Sequence, residues 1–393
     1  MAQIKRFKGL NNVSDPLRLG LGWLAQADNV DVSDTGGLVK RDGYAKKLAA
    51  SAITGAYATR DFSRMYLVDG GALKAMTGLT SALTLATGLA AAPMHFTEIN
   101  DYVYYNNGVD RGVIAPDNAL LDWEWVEPTV PTLSAISGSL PAGTYQVRCI
   151  FQLADGRTTG SSDPASINLG EGQALSISSI DQRAGLKTRV YIAPANSEVF
   201  QLAETNAPVA MTWNASPDAL GADLLTTFFD PLPRGADVIQ AWRGRIFAAQ
   251  YFPELDQTAV WSSQPLGFHL FNLNEDYFLA PGRVLMLAPT NDALIVGTGS
   301  RLYAYDGEKL PQIAEYGVVP GWHWSFEDDN TVLFWTTRGM CAALPFTNLT
   351  ERQVSVPPGV QAGGAVVRSG GRKRYLVALH QGGVAFNPRS TIS

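Results

Sequence analysis

Charge, cysteine and long apolar runs are all scarce in this chain of 393 residues. Only 17% of the residues are charged, too few Glu, Lys and Arg for long solvated helices. Two cysteines, Cys149 and Cys341, exclude a disulfide framework and a CxxC redox or zinc site. Four histidines, His95, His269, His323 and His380, include no second one at metal-ligand spacing, so each reads as a hydrogen-bonded structural residue and no metal site is expected. The longest bland stretch, Leu79 to Met94 (LTSALTLATGLAAAPM), is broken by Thr, Ser and Gly. It falls short of the ~20 apolar residues of a membrane helix, so no stable membrane insertion is expected. The opening MAQIKRFKGLNNVSD has basic residues without an apolar stretch behind them and does not read as a signal peptide. No GxxxxGK[ST], HExxH or GxSxG motif occurs. GTGSRL (297–302) has Leu302 where a dinucleotide fingerprint needs its third Gly, and reads as a hairpin turn. Net charge is −6, so no overall field attracts nucleic acid. The two short basic runs, Lys5-Arg6-Phe7-Lys8 and Arg372-Lys373-Arg374, read as solvated surface or a contact to a partner protein. A reducing cytosol, or assembly there into something larger, is the expected setting.

Glycine (38) and proline (22) are plentiful beside a 46% hydrophobic content, a balance suited to short strands joined by turns. ADNVDVSDTGGLVKRDGY (27–44) sets the pattern. Asn29, Asp31 and Ser33 have the alternate spacing of a calcium loop, but Asp34 stands where that loop needs Gly and Lys40 where it needs a bidentate Glu. A cation at the closing position argues for a hairpin instead, with Val30 and Val32 on one face and Gly36-Gly37 in the turn. The unit recurs in RMYLVDGGALKAM and DYVYYNNGVDRGVIA, with apexes at 36, 70 and 107. It returns in GRIFAAQYFPELDQTAVWSS, ALIVGTGSRLYAYDG, TVLFWTTRGMCAALPF and RYLVALHQGGVAFNP, with apexes near 253, 298, 338 and 382. Such an internal repeat has the length of a propeller blade. A hairpin cannot cover its own apolar face, whereas radially stacked blades cover one another. An all-β chain forming a β-propeller of six or seven blades is the expected fold.

The series is interrupted once. Proline pairs at Pro128 and Pro131 and at Pro231 and Pro233 bracket a segment of different character. Within it Tyr145, Val147, Cys149 and Phe151 alternate with Gln146, Arg148, Ile150 and Gln152 before the turn at Asp155-Gly156. The spacing predicts an inserted immunoglobulin or fibronectin III-like β-sandwich. Residues 1–127 and 233–393 are then the two parts of the propeller, and 128–232 the insert.

Trp242, Trp261, Trp322, Trp324 and Trp335 sit near the repeats and read as packing between blades. Glu327-Asp328-Asp329 and Glu275-Asp276 are the carboxylate clusters that a glycosidase mechanism would draw on. Adjacent residues on a strand or turn point apart, however, and solvated loop acids fit better. No catalytic, cofactor-binding or metal-ligating residue is assigned, and no cofactor is expected.

GLNNVSDPLRLGLGWLAQADNVDVSDTGGLVKRDGY, together with WRGRIFAAQ, VWSSQPLGFHLFN and LMLAPTNDALIVGTGSRLYAYDG, resembles the tail nozzle or tail tubular structural proteins of short-tailed bacteriophages. PTLSAISGSLPAGTYQVRCIFQLADGRTTGSSDPASI is similar to the fibronectin type III-like modules of virion proteins. The resemblance implies a non-enzymatic virion protein assembled in the bacterial cytoplasm. It implies a homo-oligomeric ring, commonly a hexamer, beneath a portal or adaptor, with DNA present only in transit through the channel. An acidic lumen suits that role by repelling the DNA backbone. It also implies that residues 27–44 form the first hairpin, near the ring's closure. Two other readings compete: a glycan-binding or glycan-cleaving propeller in host recognition, and a scaffold whose binding work falls to residues 131–230.

Overall fold

The computed structural model describes residues 6–33, 35–41, 43, 45–50, 52–326, 331–369 and 372–382. The chain is an all-β propeller, built from antiparallel four-stranded sheets in which strands follow one another in chain order. The first blade comprises Ile53–Ala58, Met65–Asp69, Ala72–Met76 and Ala82–Ala86, the second His95–Ile99, Tyr102–Asn106, Arg111–Ile114 and Leu120–Leu121. Two later blades run Val284–Pro289 to Gln312–Ala314 and Ser325–Phe326 to Thr347–Asn348. Between these pairs lies a blade that opens with the hairpin Val238–Trp242 and Arg245–Phe252. The first strands of successive blades, His95–Ile99, Val238–Trp242 and Val284–Pro289, lie side by side as in a radial array.

The blade Val284 to Ala314 buries both faces, which explains its continuous apolar runs. In Leu294–Thr298 all five residues are buried: Leu294 and Val296 pack toward Val238, Trp242 and Phe247, while Ile295 packs toward Phe334 and Cys341. Tyr66, Val68, Phe96, Val103 and Ile114 form the corresponding layer between the first two blades. One hairpin face therefore meets the next blade and the other meets the previous one.

The segment 27–44 contains a hairpin, Val30–Val32 against Leu38–Lys40, with Asp31 opposite Val39. The turn is held by Ser33, whose Oγ accepts from the Gly37 N–H at 2.8 Å. Asp31 binds cationic side chains, at 3.5 Å from Arg41 and 2.9 Å from Arg374. Its carboxylate thus ties the hairpin to the strand Arg372–His380. Asp34 lies outside the described residues. Asn12 makes a second tie across the chain: its Nδ2 donates to Ser355 O at 2.8 Å and its Oδ1 accepts from Ser355 N at 2.7 Å. Asn12→Ala removes both bonds and is expected to cost about 1 kcal/mol in urea unfolding. Hydrogen exchange at Ser355 checks the local part, since an amide as protected as in the parent chain would rule the tie out.

The last repeat is described only in part. RYLVALH pairs backward, with Gln361–Ser369 against Arg372–His380 in register from Gln361–His380 to Ser369–Arg372. The return strand expected after the apex near 382 lies outside the described residues.

A second compact unit comprises Asp122–Arg234 and Trp261–Tyr277. One sheet orders Thr132–Leu140, Gln173–Ser178 and Met211–Trp213, the other Ala165–Leu169, Gly143–Gln152, Lys187–Ala193 and Gln201–Glu204. Tyr145, Val147, Cys149 and Val190 from the four-stranded sheet share one core with Leu140, Leu175, Ile177 and Trp213. Its first two strands lie in different sheets, whereas the A and B strands of an immunoglobulin constant domain share one. Gln257–Gln264 and Gly267–Phe271 continue the sheet of Val238–Trp242 and Arg245–Phe252, in line with the assignment of 233–393 to the propeller, and Trp261–Tyr277 also packs with this unit. The reason is specific hydrogen bonding. Trp123 Nε1 donates to Phe268 O at 2.8 Å, His269 Nε2 donates to Thr158 O at 2.9 Å, and the Asp230 and Phe271 backbones exchange two bonds of 2.9 Å.

Candidate functional site

Aromatic side chains gather where the first strands of several blades meet. Gly321-Trp322-His323-Trp324 leads into Ser325–Phe326 as an extended stretch, so Trp322, Trp324 and Phe326 project to one side. Their rings form a column, with centroids 5.6 Å apart for Trp322 and Trp324 and 5.4 Å for Trp324 and Phe326. Tyr57 and His95, from the first strands of the first two blades, meet Trp322 at 6.1 and 5.8 Å. The cavity left among His95, Val238, Leu287, Trp322 and Trp324 is about 10 Å³. Burial pushes the His95 imidazole down to about 4, so it is neutral at physiological pH.

Arg60 closes one end of the column, its guanidinium 5.2 Å from the Phe326 ring centre. Beside it opens a cleft of about 590 Å³, lined by Arg60, Asp61, Ser63, Arg64, Glu98 and Asp101. Three connections at one end of the first two blades build it. The 59–64 turn is held by Asp61, whose carboxylate accepts from Thr59 Oγ1 at 2.7 Å, Ser63 N at 3.0 Å and Ser63 Oγ at 2.8 Å. Those bonds hold the Asp61 carboxyl down to about 2. Glu98 accepts from Arg60 N at 3.0 Å and lies 3.7 Å from Arg64 Nη2. Arg64 also donates to Asp101 O at 2.5 Å. Burial, then the Glu98 charge, raise the Tyr57 phenol above its ordinary range. The cleft therefore offers fixed carboxylates, a hydroxyl and planar guanidinium groups to a polar, hydroxyl-rich ligand.

The structure separates the residues singled out in the sequence. Trp242 and Trp335 pack between blades, with their indole N–H groups donating to Thr290 O and Pro358 O at 2.7 and 3.0 Å. Trp261 belongs to the second unit and donates to Leu273 O at 3.2 Å. Trp324 also packs against the core between two blades, beside Ile295, Val332 and Phe334, while Trp322 meets Tyr57 and His95. His323 projects the other way into the core, where Nε2 donates to Val319 O at 2.7 Å and Nδ1 accepts from Trp335 N at 3.0 Å. Glu275 and Asp276 are taken by different amides, Asn272 at 3.2 Å and Gln264 at 2.5 Å, and share no ligand position. Glu327, Asp328 and Asp329 lie outside the described residues. Both cysteines are free and buried, and burial pushes the Cys149 thiol up to about 12. The sequence reading missed Tyr57, Arg60, Arg64 and Glu98. Their one local signal was TRDFSR, an Asp-centred turn with two arginines between apolar runs.

Among the described residues no helix is long and apolar enough to cross a membrane, and no group of three or more His, Cys, Asp and Glu side chains could hold a metal ion. No protein-family model matches the chain, and no curated protein does. Among solved structures it is similar to virginiamycin B lyase from Staphylococcus aureus, with 8% identity, TM-score 0.35, and coverage of 84% of this chain and 92% of that one. It is also similar to Porphyromonas gingivalis dipeptidyl peptidase 4, with 8% identity, TM-score 0.30, and coverage of 82% of this chain and 48% of the peptidase. For PorZ, a surface component of the Porphyromonas gingivalis type-IX secretion system, the values are 13% identity, TM-score 0.24, and 90% and 56% coverage. At these values none of the three bears on what this chain does.

Proposed function

We propose that the chain is a non-enzymatic structural protein of a bacteriophage tail, of the nozzle or tubular type, and that it assembles as a ring through which DNA leaves. The reading rests on the resemblance of the N-terminal stretch. The observation that carries it is the use of that stretch: Asn12 binds Ser355 and Asp31 binds Arg374, joining the start of the chain to its last strands. With only about 10 Å³ of space among His95, Val238, Leu287, Trp322 and Trp324, the DNA channel of this proposal runs between copies of the chain. A hexamer beneath a portal or adaptor, and a fibronectin III-like character for the two-sheet unit, belong to the same proposal. Quantitative mass spectrometry of purified particles tests it. Six or twelve copies per particle are expected, and absence of the chain from particles would overturn the reading.

The polar cleft beside Arg60 favours a second reading, a glycan-binding propeller in host recognition. Binding on a broad glycan panel that is lost on Arg64→Ala supports it. Silence across the panel counts against it.

A further inference from the structure

We propose that the outer face of the four-stranded sheet in the second unit binds a compact oxyanion, a carboxylate or phosphate group of a partner molecule, between Arg148 and Arg189. This inference is independent of the tail assignment.

The strands Gly143–Gln152 and Lys187–Ala193 pair antiparallel, with Arg148 opposite Tyr191, Ile150 opposite Arg189 and Gln152 opposite Lys187. Residues opposite each other share a face, so Arg148, Arg189 and Lys187 lie together on one side while Val147, Cys149 and Phe151 fill the other. Arg148 and Arg189 are diagonal neighbours, about 7–8 Å apart at the backbone. That distance lets two guanidinium forks converge on one small anion.

Arg148 is held in place. Its Nη1 donates to Ser161 Oγ at 2.9 Å and to Ser162 O at 2.7 Å, and its guanidinium lies 5.0 Å from the Phe200 ring centre. Burial lowers its pKa, and the charge of Asp163 opposes that shift. Arg189 is half-buried, and its Nε, like that of Arg148, has no hydrogen-bond partner among the described residues. Neighbouring like charges with partly desolvated guanidinium groups repel each other, and an oxyanion accepting from both relieves that repulsion. Arginine, with its planar fork, is the side chain suited to this recognition. Ile150, Tyr191 and Phe200 pack together on the same face and make a firm floor.

The two sources of such a group are separated by titrating the full chain calorimetrically, at low ionic strength, with inorganic phosphate and with glucuronate. One equivalent of at least one of them is expected to bind. Arg189→Gln should weaken that binding about tenfold or more, as loss of a charge-assisted hydrogen bond does, while leaving the melting temperature unchanged. Arg148→Lys, which keeps the charge and loses the fork, should weaken it as well. Phosphate alone would point to a phosphorylated polymer, and glucuronate alone to an acidic sugar. The proposal is overturned if neither ion binds the parent chain, or if both bind the parent and Arg189→Gln equally.

Discussion

Gly321→Ala is expected to lower the stability of the propeller by about 4 kcal/mol or more, among the largest effects a single substitution produces. Gly321 has φ +125°, and an added Cβ would stand 2.0 Å from Ala362 O and 3.0 Å from Ala362 C. Those are main-chain atoms, so no rotamer change relieves the clash. The two strands meet there through Ala362 N to Pro320 O at 2.8 Å and Gly364 N to Trp322 O at 3.0 Å. Separating them breaks those bonds and displaces Trp322 from the aromatic column. Gly244→Ala is the control: its φ is +74°, yet nothing lies within 4 Å of the added atom. It should cost only the conformational strain, about 1 kcal/mol. Urea unfolding with an unchanged slope measures both. Equal losses for the two variants would mean that the approach of Ala362 does not constrain the strand.

Acid should destabilise the chain through His323. Burial, outweighing the hydrogen bond to Val319 O, lowers this imidazole to about 4, against an ordinary value near 6.5. Besides burial, Nδ1 accepts from Trp335 N, so a proton there would set two donors against each other. The folded pKa is depressed, so the unfolded chain takes up the proton first as pH falls. The stabilisation is complete above pH ~6.5 and declines by about 1.4 kcal/mol per unit toward pH ~4, about 3 kcal/mol in all. Unfolding free energies at pH 7, 5.5 and 4 should fall at least this steeply, since burial lowers His95 in the same way, and His323→Asn should remove the His323 share. An NMR titration assigning His323 a value near 6.5 in the folded chain would contradict the account. Tyr375 reinforces the position by donating its hydroxyl to His323 O.

Turn chemistry and alternation are local, and they were legible. The Ser33 turn, the strand in which Tyr145, Val147, Cys149 and Phe151 are all fully buried, and the hairpin beginning at Leu294 each follow from neighbours in sequence. A period of two states which residues share a face, without stating what covers that face. Packing against distant strands drew Trp261–Tyr277 into the second unit, through bonds such as Trp123 to Phe268. It also set Trp322 against Tyr57 and His95 while Trp242, Trp324 and Trp335 packed between blades, although all four look alike in the sequence. The cleft was hidden for the same reason, since Asp61 and Asp101 lie in turns and Glu98 in a strand of two blades that only their packing brings together. By itself, the sequence determined an all-β chain of repeated hairpins, because backbone alternation and turn residues act over a few positions. The tertiary structure alone decided which faces meet, because burial pairs surfaces that no local pattern connects.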